Sequence, residues 1–144
     1  MGYSVSLSAN GNTLAFGGPD DSSNIGAVWL YTRNSSGVWS EQQKITPTGY
    51  TGTPYFGTSV SLSGDGTTLA VGANGYNSHE GATWIFTQNS SGIWTQGPIL
   101  IGSSVANSYQ GCSVSLSNTG TILAVGGYGD ASYIGATWIF FSNG

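Results

Sequence analysis

Apolar and polar residues alternate along Ser59-Val60-Ser61-Leu62-Ser63, the period-two pattern of a strand whose faces meet different surroundings. Gly64-Asp65-Gly66-Thr67 follows, and Asp-Gly between two such runs predicts a tight hairpin turn. Thr68-Leu69-Ala70-Val71-Gly72 is then a second strand. A longer Gly- and Asn-rich loop runs from Ala73 to Glu80, and the β-branched and aromatic run Ala82–Thr87 predicts a third strand. Asn89-Ser90-Ser91-Gly92 turns the chain again, and a fourth strand opens at Ile93 and extends towards Leu100. Pro98 cannot donate to a ladder, which puts this strand at an outer edge. With the strands named A to D, tight turns join A to B and C to D, and longer loops join B to C and D to the next A. Alternate connections of a meander lie at opposite ends of its sheet, so all the long loops share one side.

The pattern occurs three times: Gly2-Tyr3-Ser4-Val5-Ser6-Leu7-Ser8 returns as Gly57–Ser63 and again as Gly111–Ser117. A Gly-Ala-x-Trp segment follows at a constant offset, at Gly26–Trp29, Gly81–Trp84 and Gly135–Trp138. A period of about 54 residues is in the range of propellers and other repeat arrays. The third copy reads Ser142-Asn143-Gly144 where a C–D turn belongs, so two full repeats and most of a third are expected, with boundaries near 2–56, 57–110 and 111–144 of a single repeat domain, 1–144. Strands A, B and C carry apolar groups on both faces, which suits a sheet packed between two others. A β-helix or solenoid is the alternative, but its coils usually repeat at about 20–30 residues with one strand per face. The expected fold is all-β: β-propeller blades, each a four-stranded antiparallel meander, about three per chain, the last lacking its outer strand.

Phe56-Gly57-x-Ser-Val-Ser-Leu-Ser, then Asp65-Gly66-x-x-Leu69-Ala70-Val71-Gly72-Ala73, then Gly81-Ala82-x-Trp84-Ile85-Phe86, resembles the FG-GAP repeat. That repeat builds the propeller of integrin α subunits and of many bacterial, viral and environmental surface proteins. The Trp residues in strands C and D look more like the microbial form. The resemblance implies a propeller of surface or extracellular type, and it also raises the question of calcium. Integrin-type repeats often carry Asp-x-Asn-x-Asp-Gly between strands A and B. Here those turns read Ala9-Asn10-Gly11-Asn12, Gly64-Asp65-Gly66-Thr67 and Asn118-Thr119-Gly120-Thr121, with one carboxylate among them. Calcium takes about six to eight oxygens, several of them from carboxylates, so the family's metal site is not carried over and no cofactor is expected. The Gly-Ala-Pro that follows strand B in the family reads Gly17-Gly18-Pro19, Gly72-Ala73-Asn74 and Gly126-Gly127-Tyr128, which keeps only the turn.

Charged residues are 6% of the chain, against about 25% in ordinary domains. Five Trp, eight Tyr and five Phe exclude a disordered chain. The net charge is −4, and Arg33 and Lys44 are the only fixed cations. That excludes a nucleic-acid footprint and attraction to anionic membrane surfaces. No apolar run approaches the roughly 20 residues of a membrane span, so membrane insertion is not expected. Met1 leads directly into the first repeat, with no signal peptide in view. Cys112 is alone, so there is no intrachain disulfide; it stands where the other copies have Tyr3 and Thr58, a small half-buried position.

Catalytic chemistry finds little support. His79 is the only histidine, and the abundant serines recur in every strand A, as packing or pairing residues do. No triad and no phosphate loop is in view, and an enzyme is not expected. Asn34-Ser35-Ser36 and Asn89-Ser90-Ser91 match a glycosylation sequon but also read as C–D turns. Trp29, Trp84, Trp138, Trp39 and Trp94 repeat at fixed strand positions and are expected to pack blade against blade. The long loops differ from copy to copy and are rich in Tyr, Asn, Gly and Ser, as binding loops are. Candidate ligand residues on that face are Asp20, Asp21, Tyr76, Asn77, Glu80, Asp130 and Tyr133.

The leading expectation is a non-enzymatic propeller module that binds a protein or glycan on its long-loop face and closes its ring by pairing with itself, as two or three chains. A filament-forming structural protein and a lectin-like propeller are the alternatives. The dispersed carboxylates yield a first prediction: a chelator leaves folding unchanged. A rise of several degrees in melting temperature on adding millimolar calcium would show that Asp20, Asp21, Glu80 or Asp130 form a metal site.

Overall fold

The computed structural model describes residues 1–102 and 105–142. Three antiparallel sheets follow one another along the chain. Blade 1 holds β1 (Ser4–Leu7), β2 (Thr13–Gly18), β3 (Ala27–Arg33) and β4 (Trp39–Ile45) in sequential order. Blade 2 repeats this with β5 (Ser59–Leu62), β6 (Thr68–Ala73), β7 (Ala82–Gln88) and β8 (Trp94–Leu100). Blade 3 has β9 (Ser113–Leu116), β10 (Ile122–Gly127) and β11 (Ala136–Phe141). The blade meander read from the alternation pattern is therefore the observed one, and Pro98 lies in an outer strand. The expected third C–D turn falls partly on Asn143 and Gly144, which lie outside the described residues.

Short polar side chains build the tight turns. In blade 2, Asp65 Oδ1 accepts from the Ser63 hydroxyl at 2.6 Å and the Thr67 N–H at 3.0 Å. The Ser63 hydroxyl, then the Thr67 amide, hold the Asp65 carboxyl below its usual range. In blade 1, Asn10 Oδ1 accepts in the same way from the Ser8 hydroxyl and the Asn12 N–H. At the C–D turns, Asn34 Oδ1 caps the N–H groups of Ser36 and Val38, and Asn89 Oδ1 those of Ser91 and Ile93. The sequon-like triplets are thus turn residues.

Strand register gives each blade two unlike faces. In blade 2, Val60 lies opposite Val71 and Val71 opposite Trp84, while Leu62, Leu69 and Phe86 form the next row. The reverse face carries Ser61, Ala70 and Ile85 in one row and Ser59, Gly72 and Thr83 in another. The bulky face of blade 2 shares a buried cluster with Ala15, Val28 and Leu30 of blade 1. Phe56 completes it, edge-on to Trp84 at 5.8 Å and to Phe86 at 5.9 Å between ring centroids. The bulky face of blade 3, through Leu123 and Val125, joins Ala70 and Ile85 of blade 2. Trp84 and Trp94 are buried, the packing role expected of them, whereas Trp39 on the outer strand of blade 1 is 38% exposed. Cys112 is half-buried, its thiol donating to the Gly126 carbonyl.

Strand A of each following blade approaches the preceding blade closely. A Cβ on Gly17 would overlap the Gly57 carbonyl oxygen, and one on Gly72 would overlap that of Gly111. The backbone of Gly72 is ordinary; what it requires is the absence of a side chain. Gly72→Ala is expected to destabilise by about 1–3 kcal/mol through overpacking at the blade junction. Gly97→Ala in the outer strand, where a Cβ meets only the Ile85 carbonyl at 3.4 Å, is expected to cost nothing measurable. Denaturant unfolding of the two variants checks the contrast.

Candidate functional site

The long B–C connections were expected as loops. Each contains three consecutive non-glycine residues in the left-handed region: Ser22, Ser23 and Asn24; Asn77, Ser78 and His79; Ala131, Ser132 and Tyr133. A glycine with positive φ ends each one, at Gly26, Gly81 and Gly135. The turn closes on itself where Gly26 N–H reaches the Asp21 carbonyl, Gly81 N–H that of Tyr76 and Gly135 N–H that of Asp130. Its carbonyls then receive the next D–A loop: Tyr55 and Phe56 N–H donate to Asn24 and Ile25, and Tyr109 and Gln110 N–H to His79 and Glu80.

These loops, with the ends of the inner strands, surround a hollow of about 290 Å³ lined by Tyr3, Pro19, Asp20, Tyr55, Thr58, Asn74, His79 and Tyr109. Thr58 Oγ1 bonds the Tyr55 carbonyl at 2.7 Å and Asn74 Oδ1 at 3.1 Å, which fixes the floor. Beside it the rings of His79 and Tyr109 lie 5.0 Å apart. Tyr109 stacks on Tyr128 at 4.6 Å, and Tyr128 faces Tyr133 at 6.4 Å. Burial first, then neighbouring Tyr109, raise the Tyr128 phenol above its ordinary range. The hollow therefore offers aromatic faces, amide and hydroxyl groups, one imidazole and one carboxylate. That chemistry suits a neutral, polar ligand with an apolar face.

Of the candidate residues read from the sequence, Asp20 alone lines this hollow. Asp21 instead forms an ion pair with Lys44 at 2.9 Å; the Lys44 hydrogen bond, then that from Ser22, lower its carboxyl's pKa. Lys44 also caps the Trp29 ring at 4.9 Å. Both partners are partly exposed, so the pair contributes little to stability. Asn77 donates to Glu80 at 2.6 Å, within its own loop. Tyr76 packs edge-on against Trp84 at 5.5 Å and belongs to the edge of the core. Asp130 opens the third left-handed turn, and Tyr133, at its end, is 70% exposed at the far side of the tyrosine row. Among the described residues no three His, Cys, Asp or Glu side chains converge as a metal site would need.

Sequence reasoning missed Tyr3, Thr58, Pro19 and Asn74. Their signal was the position at which the copies differ inside a repeating frame: Tyr3, Thr58 and Cys112 are equivalent, as are Pro19, Asn74 and Tyr128, and Asn24, His79 and Tyr133.

Residues 39–86 match the family model of the FG-GAP repeat, so the chain carries that repeat and, by the motifs above, two further copies of its frame. No curated protein sequence matches the chain. Among solved structures it is similar to the periplasmic gluconolactonase PpgL of Pseudomonas aeruginosa, at a TM-score of 0.57 and 19% identity, over 96% of this chain and 38% of that one. It is also similar to TolB from Acinetobacter baumannii, at a TM-score of 0.50 and 14% identity, over 97% of this chain and 30% of that one. The likeness establishes a β-propeller fold, and the chain spans only about a third of either neighbour's length.

The packing of Tyr76 against Trp84 sets it apart from Tyr133, whose ring is exposed. Tyr76→Ala is expected to lower stability by about 1–3 kcal/mol. Tyr133→Ala, at an exposed ring, should stay within about 0.5 kcal/mol of the parent in the same denaturation experiment.

Proposed function

We propose that the chain is a non-enzymatic β-propeller module of surface or extracellular type, which completes its ring by self-association and binds a ligand at its long-loop face. The observation that carries this reading is the repetition of one blade junction. Ser4 Oγ donates to the Gly57 carbonyl and Ser59 Oγ to that of Gly111, both at 2.8 Å. Leu62 N–H donates to Ser6 Oγ and Leu116 N–H to Ser61 Oγ. Ala9 N–H reaches the Gly64 carbonyl, and Gly64 N–H that of Asn118. Among the described residues, the guest half of blade 1, with Gly2, Leu7 and Ala9, and the host half of blade 3, with Ser113, Ser115 and Asn118, have no counterpart to these bonds. The host half includes a shallow hollow lined by Cys112, Gly126, Gly127, Gly135 and Ala136, equivalent to the ground that Gly57 and Gly111 occupy at the inner junctions.

Both halves are apolar and open. Val5 is 68% exposed and Leu7 57% on blade 1, and Ile139 is 49% and Phe141 71% on blade 3. Exposed apolar faces of this kind mark association surfaces. The contact is head-to-tail, so it closes a ring or runs on as a filament. Propellers have about four to eight blades, and two or three chains with the three blades described would give six or nine. A surface or extracellular setting is in keeping with the periplasmic source of one neighbour and with the absence of any helix in the described residues long and apolar enough to cross a membrane. The non-enzymatic reading is favoured by the packing of His79, the chain's one histidine, whose ring lies 5.0 Å from that of Tyr109.

Light scattering coupled to size exclusion tests the assembly. The expected mass is a two- or three-fold multiple of 14.8 kDa. Val5→Asp, at a residue exposed in the single chain, should leave folding intact and reduce the mass to that of one chain. A folded monomer at micromolar concentration, or a Val5→Asp variant that assembles normally, would overturn the reading.

A further inference from the structure

Each of the first two C–D turns uses one end of the asparagine side chain that opens it. Asn34 Oδ1 accepts from the N–H groups of Ser36 and Val38 at 3.0 and 2.9 Å, and Asn89 Oδ1 from those of Ser91 and Ile93 at 2.9 and 3.0 Å. The main chain closes the rest. Gly37 N–H donates to the Asn34 carbonyl and Gly92 N–H to that of Asn89, while Asn34 and Asn89 N–H donate to the carbonyls of Val38 and Ile93. Among the described residues, the Nδ2 atoms of both asparagines and the hydroxyls of Ser36 and Ser91 have no hydrogen-bond partner. Asn34, Ser35 and Ser36 are exposed, as are Asn89, Ser90 and Ser91. Both triplets read Asn-x-Ser, and an acceptor triplet needs its asparagine nitrogen and its hydroxyl on the surface.

We infer that Asn34 and Asn89 are acceptors of N-linked glycans, an inference that rests on the surface or extracellular setting proposed above. The co-reactant is an oligosaccharide carried on a polyprenyl pyrophosphate, presented by an oligosaccharyltransferase. Asparagine Nδ2 bonds to the anomeric carbon of the sugar, the bond from that carbon to the pyrophosphate breaks, and one amide proton passes to the transferase. The product amide keeps its Oδ1 and one N–H. Both capping bonds of each turn therefore survive the modification.

Placement makes the sugars compatible with the rest of the molecule. Strands β3 and β7 separate Gly26 from Asn34 and Gly81 from Asn89 by roughly 25 Å, so the glycans stand at the opposite end of each blade from the hollow. Blade 1 meets the second turn through its main chain, where Gln42 Nε2 donates to the Gly92 carbonyl at 2.7 Å, and leaves the Asn89 nitrogen unused. Charged residues are 6% of the chain, and neutral sugars would give the tight-turn end the hydration that ionised side chains supply elsewhere.

The test is secretion of the chain from yeast behind a cleavable leader, with intact mass read before and after a peptide-N-glycosidase. The leader supplies the route, so occupancy reports on the turns and not on where the chain resides in its own cell. Two glycans per chain are expected, mapped to Asn34 and Asn89 by the aspartate that the glycosidase leaves. Ser36→Ala and Ser91→Ala should each remove one glycan, and Ser36→Thr and Ser91→Thr should keep it. After deglycosylation all four variants should melt with the parent, because neither hydroxyl is bonded. By light scattering, the glycosylated chain should contain as many copies per assembly as chain made without sugar in a bacterial cytoplasm. A secreted, folded chain without glycan would overturn the inference, as would sugar placed elsewhere or an assembly that forms only without sugar. A chain that carries both glycans and stays monomeric in either form would sink ring closure and uphold the acceptor sites.

Discussion

The fit of a bulky blade face into a small-residue blade face is the constraint on which the rest of the structure depends. Ser-Val-Ser-Leu on every strand A meets both sides of it. Val and Leu supply apolar area to one face, and the serines keep the other low enough to receive the next blade's Val and Leu. The serine hydroxyls then bond the backbone of that next blade, so polar groups that would be stranded between sheets become part of the junction. Glycine at Gly17 and Gly72 lets the following carbonyl settle against bare Cα atoms. Each blade is host on one side and guest on the other. None can bury both faces alone, which is the physical reason the motif has to be repeated.

The same junction supports the candidate ligand face. A non-glycine residue in the left-handed region costs roughly 1–2 kcal/mol, and each B–C turn holds three in succession. The first two turns are held from outside, because the following D–A loop donates two N–H groups to their carbonyls. In the third turn, Ala131 to Tyr133, only the internal closure from Gly135 to Asp130 has a counterpart among these bonds. Tyr55 and Tyr109 carry one of the two donor N–H groups at each junction and also line the hollow. Ordering of the loops around the hollow is therefore a consequence of blade packing, and each neighbouring blade positions part of its lining.

Strands and tight turns were legible in the sequence because their causes are local. Alternation fixes which residues share a face, and Asn10, Asp65, Asn34 and Asn89 close their turns with bonds to residues two to four positions away. The left-handed turns were not legible. Ser-Ser-Asn, Asn-Ser-His and Ala-Ser-Tyr have no glycine within them, and what holds two of them is a loop about 30 residues downstream. Tyr76 illustrates the same limit. Its loop position suggested a ligand contact, but the turn brings its ring edge-on to Trp84. The hollow itself is built at positions where the three copies differ, so it was visible only as a failure of repetition, at Tyr3 against Thr58 and Pro19 against Asn74.

That failure of repetition also sets the two junctions apart in strength. Their inner rims are alike, with the same serine and turn bonds at each step. Their outer rims are not. Gln42 and Gln43 tie blade 1 to Trp94, whereas Gly97 and Pro98 present no side-chain amide to blade 3. Phe56 fills the first junction, and Gln110 takes its place at the second, with its amide turned to the Leu100 carbonyl and the Gly102 N–H. The buried cluster at the first junction accordingly runs from Ala15 through Trp94, while that at the second reduces to Ala70, Leu123 and Val125 with half-buried neighbours around them. Stability in a repeat array is a sum over such interfaces. Among the described residues, blades 1 and 2 therefore share the more extensive buried junction, and blade 3 joins blade 2 through the smaller one.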